Sequence, residues 1–305
     1  MNHESKRHLV VFRCGDSPLL QPDRIPLAQR SWDYAVSTYS ENSDFGREAL
    51  FLDRHPGPKW KAVHQCMSRY QAQFSNYDYI WFPDDDLEGD ETQINMLFEA
   101  AQNYELDLCQ PALTHNSYWN HVTTLEHSLF HLRFTNFVEV MAPMFSRAML
   151  DRVEPYFESA LSGWGLDAIF PTLTELGAIA VVDHVRVRHA RPVGTGSIYA
   201  FNERAGITPQ RELNTLMARK FLPSELRPIN FGGVLKTGNL LALSPDSKIT
   251  NHFFQSLLQS VAEAGVPPIG MAVYIDHHLA ALRERPVQEI AQILSDRLLR
   301  LVSSR

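Results

Sequence analysis

Asp84, Asp85 and Asp86 stand in a row directly after the apolar run Tyr79-Ile80-Trp81-Phe82-Pro83. Carboxylates crowded at the end of a buried strand repel one another, so something must offset their charge. Carboxylate oxygens are the ligands that Mg2+ and Mn2+ prefer, and a divalent cation holding a diphosphate would do this directly. A solvated acidic turn is the plain alternative. Helix capping, a common duty of acids in such a place, falls to Asp90. With Gln93 it reads as a capping box ahead of the helical stripe Ile94, Leu97, Phe98 and Ala101.

Further segments carry chemistry. In Ser162-Gly163-Trp164-Gly165-Leu166-Asp167 the glycines let a ligand approach the backbone, and Trp164 is an apolar wall of the kind that packs on a sugar face. Asp167, at the start of the next helix, reads as a general base or as a favourable charge at a helix N-terminus. His184 and His189 follow Val181-Val182-Asp183, and an imidazole there can join carboxylates around a metal or serve structure alone. Glu139 interrupts an apolar segment. A carboxylate buried there needs a partner or a shifted pKa, as an acceptor-site group or as a hydrogen-bond hub.

The elements that must position these groups alternate. Strands are expected at residues 9–12, 32–38, 49–52, 77–82, 106–109, 138–141 and 179–182, with helices at about 59–74 and after Asp90. That alternation implies βαβ units, a mostly parallel sheet flanked by helices, and ligands at the carboxyl ends of its strands. Residues 114–133, rich in His, Asn, Tyr and Trp, read as a loop, either carbohydrate-binding or simply on the surface. Thr208 and Pro209 then start a helix, a connector covers 222–238, and amphipathic helices are expected at 251–264 and 287–302. The chain thus divides into an α/β domain, residues 1–205, and a mainly helical extension, 206–305, packing on that domain or forming a homo-oligomer with a second copy.

At 305 residues, 44% hydrophobic and 21% charged, the composition is that of an ordinary soluble globular protein. The formal charge of −7 and the lack of a Lys/Arg cluster argue against a nucleic-acid partner, since phosphate backbones demand a basic face. Cys14, Cys66 and Cys109 are widely spaced and outside any CxxC pattern, as in a reduced cytoplasmic protein. The apolar run 9–12 is too short for a signal peptide or a transmembrane segment, which leaves at most a peripheral contact at the inner membrane surface.

The Asp triplet, the Gly-Trp-Gly-Leu-Asp turn and the later His together resemble GT-A-type glycosyltransferases. The chain resembles domain-of-unknown-function family 707 (DUF707) more closely still. The matching segments are RSWDYAVSTYS (30–40), GPKWKAV (57–63), YDYIWFPDDDL (77–87), QPALTHNS (110–117), FVEVMAPMFSRAML (137–150), SGWGLD (162–167) and VVDHVRVRHARPVG (181–194). The resemblance implies a GT-A-like (Rossmann-like) α/β domain over residues 1–205 that binds a nucleotide-sugar donor. It also implies transfer of the sugar to a glycan or other hydroxyl acceptor with Mn2+ or Mg2+, in surface-glycan or lipopolysaccharide biosynthesis.

Carried over residue by residue, Asp84 and Asp86 would contact the metal or ribose, and His189 rather than His184 would complete the metal shell. Asp167 would be the base of an inverting transfer, with a retaining outcome still open. Lys59, beside Trp60, would pair with diphosphate oxygens or else snorkel at the surface. Arg13, Asp16 and Asp85 would lie by the nucleotide, and Trp164, Gly165, Glu139 and His121 by the sugar or acceptor. Two other classes stay in play, a non-catalytic sugar- or nucleotide-binding module and a metal-dependent phosphoester hydrolase. The Gly-Trp-Gly turn has no evident role in the second.

Overall fold

The run Leu9-Val10-Val11-Phe12 is continuously apolar because the strand it forms is covered on both faces. Leu9 and Val11 face one layer, with Trp60, Phe82 and Phe145; Val10 and Phe12 face the other, with Trp81, Leu97 and Phe98. The structure, a computed structural model, describes residues 7–41, 43, 45–46, 48–161, 163–175, 177–192, 206, 208–218, 227–265, 271–284, 289 and 292–296.

The strands are β1 (His8–Cys14), β2 (Asp33–Thr38), β3 (Leu52–Arg54), β4 (Tyr79–Trp81), β5 (Leu87–Gly89), β6 (Leu108–Leu113), β7 (Phe130–Thr135), β8 (Met144–Ser146), β9 (Ile179–His189), β10 (Asn230–Leu235) and β11 (Leu240–Ala242). They form one sheet in the order β11-β10-β7-β9-β6-β8-β4-β1-β2-β3, with β5 paired to β9. The block β3-β2-β1-β4 is parallel throughout, as is the β6–β9 pair, and the remaining pairs are antiparallel. Helices α1 (Lys59–Arg69), α2 (Gln71–Phe74), α3 (Gln93–Asn103), α4 (Arg147–Phe157), α5 (Leu166–Ile169), α6 (Pro209–Ala218), α7 (Lys248–Glu263) and α8 (Met271–Glu284) flank it. One face is covered by α1, α4, α5 and α6, and the other by α3, α7 and α8. This is the expected α/β architecture, a sheet between helices with a helical C-terminal region.

Several local expectations shift. Asp90 does not form a capping box. Its Oδ1 accepts from the N–H and hydroxyl of Thr92, at 2.9 and 2.6 Å, while Gln93 Oε1 takes the N–H of Arg186 at 3.0 Å. The expected helix 59–74 breaks at Tyr70, whose ring stacks on Phe51 at 3.9 Å. The third strand forms at Leu52–Arg54 rather than 49–52. Residues 138–141 are loop and turn, not strand, while β7 begins inside the segment read as the loop 114–133 and β10 lies inside the connector. Thr208 does cap α6, accepting the N–H of Arg211 at 3.2 Å. The helix expected at 287–302 lies mostly outside the described residues.

The C-terminal region is tied to the sheet twice. Phe253 of α7 stacks on His127 at 4.5 Å, and its carbonyl meets His127 Nε2 at 3.0 Å. Its strand β10 also threads between β7 and β11, where only glycine fits. A Cβ at Gly233 would lie 2.1 Å from Leu132 O, and one at Gly232 would lie 2.0 Å from Leu241 O. Gly233→Ala is therefore expected to cost about 2–3 kcal/mol by urea unfolding, and an unchanged midpoint would refute the close packing. Among the described residues, no helix is long and apolar enough to cross a membrane, and Cys14, Cys66 and Cys109 are buried free thiols.

Candidate active site

The backbone of the Asp triplet is fixed from three sides as it leaves β4. Asp84 N–H donates to Met141 O at 2.8 Å, Asp85 O accepts from Leu19 N–H at 2.9 Å, and Asp86 O accepts from Ala190 N–H at 2.9 Å. Each side chain consequently has a different neighbour. Asp84 Oδ1 accepts from the Lys59 ammonium at 2.6 Å. Asp85 Oδ2 accepts from Gly15 N–H at 3.1 Å and from the Tyr39 hydroxyl at 2.5 Å, with Arg191 3.5 Å from its other oxygen. Asp86 Oδ2 lies 3.3 Å from His189 Nε2, and its buried Oδ1 has no protein partner.

The register of β5 on β9 brings His189 to this point, setting Leu87 opposite it. Its Nδ1 lies 2.6 Å from Tyr118 O, so that nitrogen carries a proton and Nε2 is the one presented to Asp86. Burial opposes the imidazolium, but the Asp86 carboxylate outweighs it and lifts the pKa to about 9. For Asp84, burial raises the pKa to about 6 although Lys59 pulls the other way. His184, by contrast, stacks on His131 at 3.7 Å, with its Nδ1 on His131 O. It faces a different environment from the triplet.

Lys59 sits where the sequence suggests, next to the acids, but its donors are already engaged. Besides Asp84 it reaches Phe82 O at 2.9 Å, Val140 O at 2.9 Å and Met141 O at 3.3 Å. It ties the 140–141 segment to the triplet. Arg13 is likewise engaged. Only 4% exposed, it donates to Ser37 Oγ at 3.2 Å, His55 O at 2.8 Å and Gly57 O at 2.6 Å, and it lies over the Tyr39 ring. Asp16 is exposed at the end of β1 and accepts from Ser40 Oγ at 2.5 Å.

The Gly-Trp-Gly turn is shaped by packing. Gly163 has φ 89°, and a Cβ there would fall 2.6 Å from Trp60 Nε1, so Trp60 of α1 forms the floor of the turn. Glu212 of α6 accepts the Gly163 N–H at 3.3 Å, linking the C-terminal region to this turn. Gly165, at φ 96°, begins α5, and Trp164 is 44% exposed beside it. Asp167 Oδ1 accepts from Ala168 N–H at 3.0 Å. Burial raises its pKa to about 6, against the N–H groups of Ala168 and Gly165 that favour the carboxylate. Glu139 is 4% exposed, and burial, Asp167 and Asp84 push its pKa up to about 8 while His189 pulls it down. His121 packs on Phe137 at 4.3 Å, and burial lowers its pKa to about 4.

Asp84, Asp86, His189, Glu139 and Asp167 thus gather at one end of the sheet. Tyr39, Gln110 and Tyr118 support them without having drawn notice in the sequence. Each lies in a segment that was singled out, but its task depends on a partner distant in the chain. Among the described residues, no three His, Cys, Asp or Glu side chains converge into a preformed cation site. By type, the partnerless Asp86 Oδ1 and the neighbouring His189 ring and Asp84 carboxylate are nonetheless donors that a divalent cation takes.

The molecule is an α/β protein with a carboxylate and imidazole cluster at the carboxyl end of a parallel strand block. The chain belongs to the family described as protein of unknown function (DUF707), whose model matches residues 33–218. No curated protein matches the sequence significantly. Among solved structures, it is similar to glucosyl-3-phosphoglycerate synthase from Mycobacterium tuberculosis, in complex with Mn2+, UDP-glucose and phosphoglyceric acid. The TM-score is 0.42 with 17% identity, over 79% of this chain and 88% of that one. Similarity to S. aureus TarS 1-349 in complex with UDP-GlcNAc has a TM-score of 0.41 with 10% identity, over 88% and 70%. For A197 from STIV the values are 0.36 and 14%, over 60% and 85%. Similarities this loose assign no role to any residue.

Proposed function

We propose that the protein is a metal-dependent glycosyltransferase that moves a sugar from a nucleoside-diphosphate donor to a hydroxyl acceptor. The observation that carries this reading is the pairing of a partnerless, buried Asp86 Oδ1 with a His189 held by Tyr118 O so that its Nε2 faces the same carboxylate. An orphaned buried carboxylate oxygen beside an imidazole nitrogen supports a cation there. The Trp164 turn then supplies what a phosphoester hydrolase would not need, an apolar platform, and Asp167 stands beside it.

Asp86, His189 and Asp84 would hold the cation, which when bound offsets the charge building on the leaving phosphate. Lys59 and the 140–141 carbonyls keep Asp84 in place. Trp164 offers its exposed indole to a sugar face. Asp167 takes the proton of the acceptor hydroxyl as its oxygen bonds to the anomeric carbon, and the bond to the donor phosphate breaks with its electron pair leaving on the nucleoside diphosphate. Attack from the side opposite the phosphate inverts that carbon. The broader context, surface-glycan or lipopolysaccharide assembly, comes from the family resemblance alone.

Calorimetry with UDP, GDP and CDP, each with Mn2+ or Mg2+, tests the reading. One nucleotide is expected to bind only with the cation, and Asp86→Ala to weaken it by about 100-fold or more. Asp86 is a cleaner target than Asp84, whose loss would leave the Lys59 charge without its carboxylate. Folded wild-type protein that binds none of the three nucleotides would overturn the proposal.

A further inference from the structure

Glu139 is the one acid of this cluster without a task in the chemistry above. Both of its carboxyl oxygens are buried and neither has a hydrogen-bond partner in the protein. Its backbone, in contrast, is held firmly. The N–H donates to Gln110 Oε1 at 2.7 Å, and the carbonyl accepts from Ala142 N–H at 3.3 Å. The residues that follow are pinned by Lys59 on Val140 O and Met141 O, by Asp84 N–H on Met141 O, and by the Trp81 indole N–H on Ala142 O. The fold thus spends several hydrogen bonds from distant segments to hold rigid a carboxyl group that it leaves unsatisfied. A structural hub would show the reverse pattern, with its carboxyl oxygens engaged. Buried polar groups left open in this way are costly and are typically completed by a ligand.

The surroundings indicate which ligand. The charges that act on Glu139 are those of Asp167, His189 and Asp84. In the proposed reaction His189 and Asp84 belong to the donor diphosphate and Asp167 to the acceptor hydroxyl. The group that lies between a leaving diphosphate and an incoming hydroxyl is the transferred sugar ring. Burial favours the neutral carboxyl form of Glu139, which has one O–H to donate and lone pairs to accept with. That combination matches two neighbouring sugar hydroxyls and adds no negative charge next to a diphosphate.

We propose that Glu139 binds hydroxyls of the transferred sugar and so determines which donor sugar the protein accepts. This rests on the transferase reading and extends it to the sugar. The test uses the full-length protein with Mn2+ and whichever of UDP, GDP or CDP it binds. The affinity of that nucleotide is compared with those of its sugar conjugates (UDP-glucose, UDP-galactose and UDP-N-acetylglucosamine for UDP, GDP-mannose and GDP-fucose for GDP, CDP-glucose for CDP). Wild type, Glu139→Gln and Glu139→Met are measured in parallel, together with their melting temperatures.

The bare nucleotide is expected to bind all three proteins within about twofold, while the preferred conjugate binds Glu139→Met about tenfold more weakly or worse. Glu139→Gln, which keeps one donor and one acceptor, should fall in between. Glu139→Met should melt no lower than wild type, because it removes an unsatisfied polar group from a buried place. Equal conjugate affinity in wild type and Glu139→Met overturns the inference alone, as does parallel loss of nucleotide and conjugate binding. A fall in melting temperature of about 4 °C or more in Glu139→Met would show a structural role instead. If wild type binds no nucleotide at all, the transferase reading fails and this inference falls with it.

Discussion

Asp183→Asn is expected to lower the unfolding free energy by about 3–5 kcal/mol, a large share of the 5–15 kcal/mol that a domain typically has. Asp183 and Arg133 form a two-point ion pair, Nε to Oδ2 and Nη2 to Oδ1 both at 2.9 Å, with side chains 1% and 0% exposed. The other guanidinium N–H groups donate to Thr123 O at 3.1 Å and to Leu125 O, and Asp183 Oδ1 also accepts from His127 N–H at 2.8 Å. The pair therefore joins β9, β7 and the segment just before β7. Through His127 and its stacking on Phe253 it reaches α7 as well. Removing the carboxylate leaves a guanidinium in a place where water cannot reach it.

Replacing both partners, Arg133→Met with Asp183→Leu, should recover most of the loss, because two desolvation penalties disappear together. Urea unfolding of the two single variants and the double one completes the cycle. A single variant costing under about 1 kcal/mol, the worth of an exposed pair, would mean that solvent reaches the site.

Why this pair escaped notice in the sequence is instructive. Arg133 and Asp183 are separated by fifty residues, and each alone looks like a polar residue that belongs at the surface. Their His, Asn, Tyr and Trp content made residues 114–133 read as loop, although Phe130–Thr135 is a buried strand with partners in β9. Lys59 and Arg13 present the opposite case. Their position near the acids was legible, but their occupation was not, because the carbonyls that engage them come from residues 55–57, 82 and 140–141. What could be read was whatever depends on local order. The continuous apolar run of β1, the acids that follow β4 and the Gly-Trp-Gly turn are of this kind, since neighbouring residues alone limit their uses. Glu139 lies between the two cases. An acid within an apolar segment announces burial, while only the structure shows that its oxygens are left open.

Asp167→Asn is expected to reduce sugar transfer by about 10²–10⁴-fold while leaving nucleotide binding unchanged. The asparagine keeps the size and the α5 position but has no lone pair basic enough to take a hydroxyl proton. Cation-dependent hydrolysis of the donor gives the readout before an acceptor is known, since water then stands in for the acceptor hydroxyl. In wild type, burial sets the Asp167 pKa at about 6, so the rate should be flat above that value and fall as pH drops through it and the base becomes protonated. The variant should lack that acidic limb. Stability moves the other way. Because the folded-state pKa lies above the ordinary aspartate value of 3.8, protonation favours the folded form, and this contribution is full below 3.8 and lost as pH rises through about 6. Asp167→Asn, neutral at every pH, should therefore be no less stable than wild type at pH 7.5. That separates lost chemistry from lost folding. A variant that turns over donor within about threefold of wild type, or that keeps the acidic limb, would take the base role away from Asp167 and assign the limb to another group of the cluster.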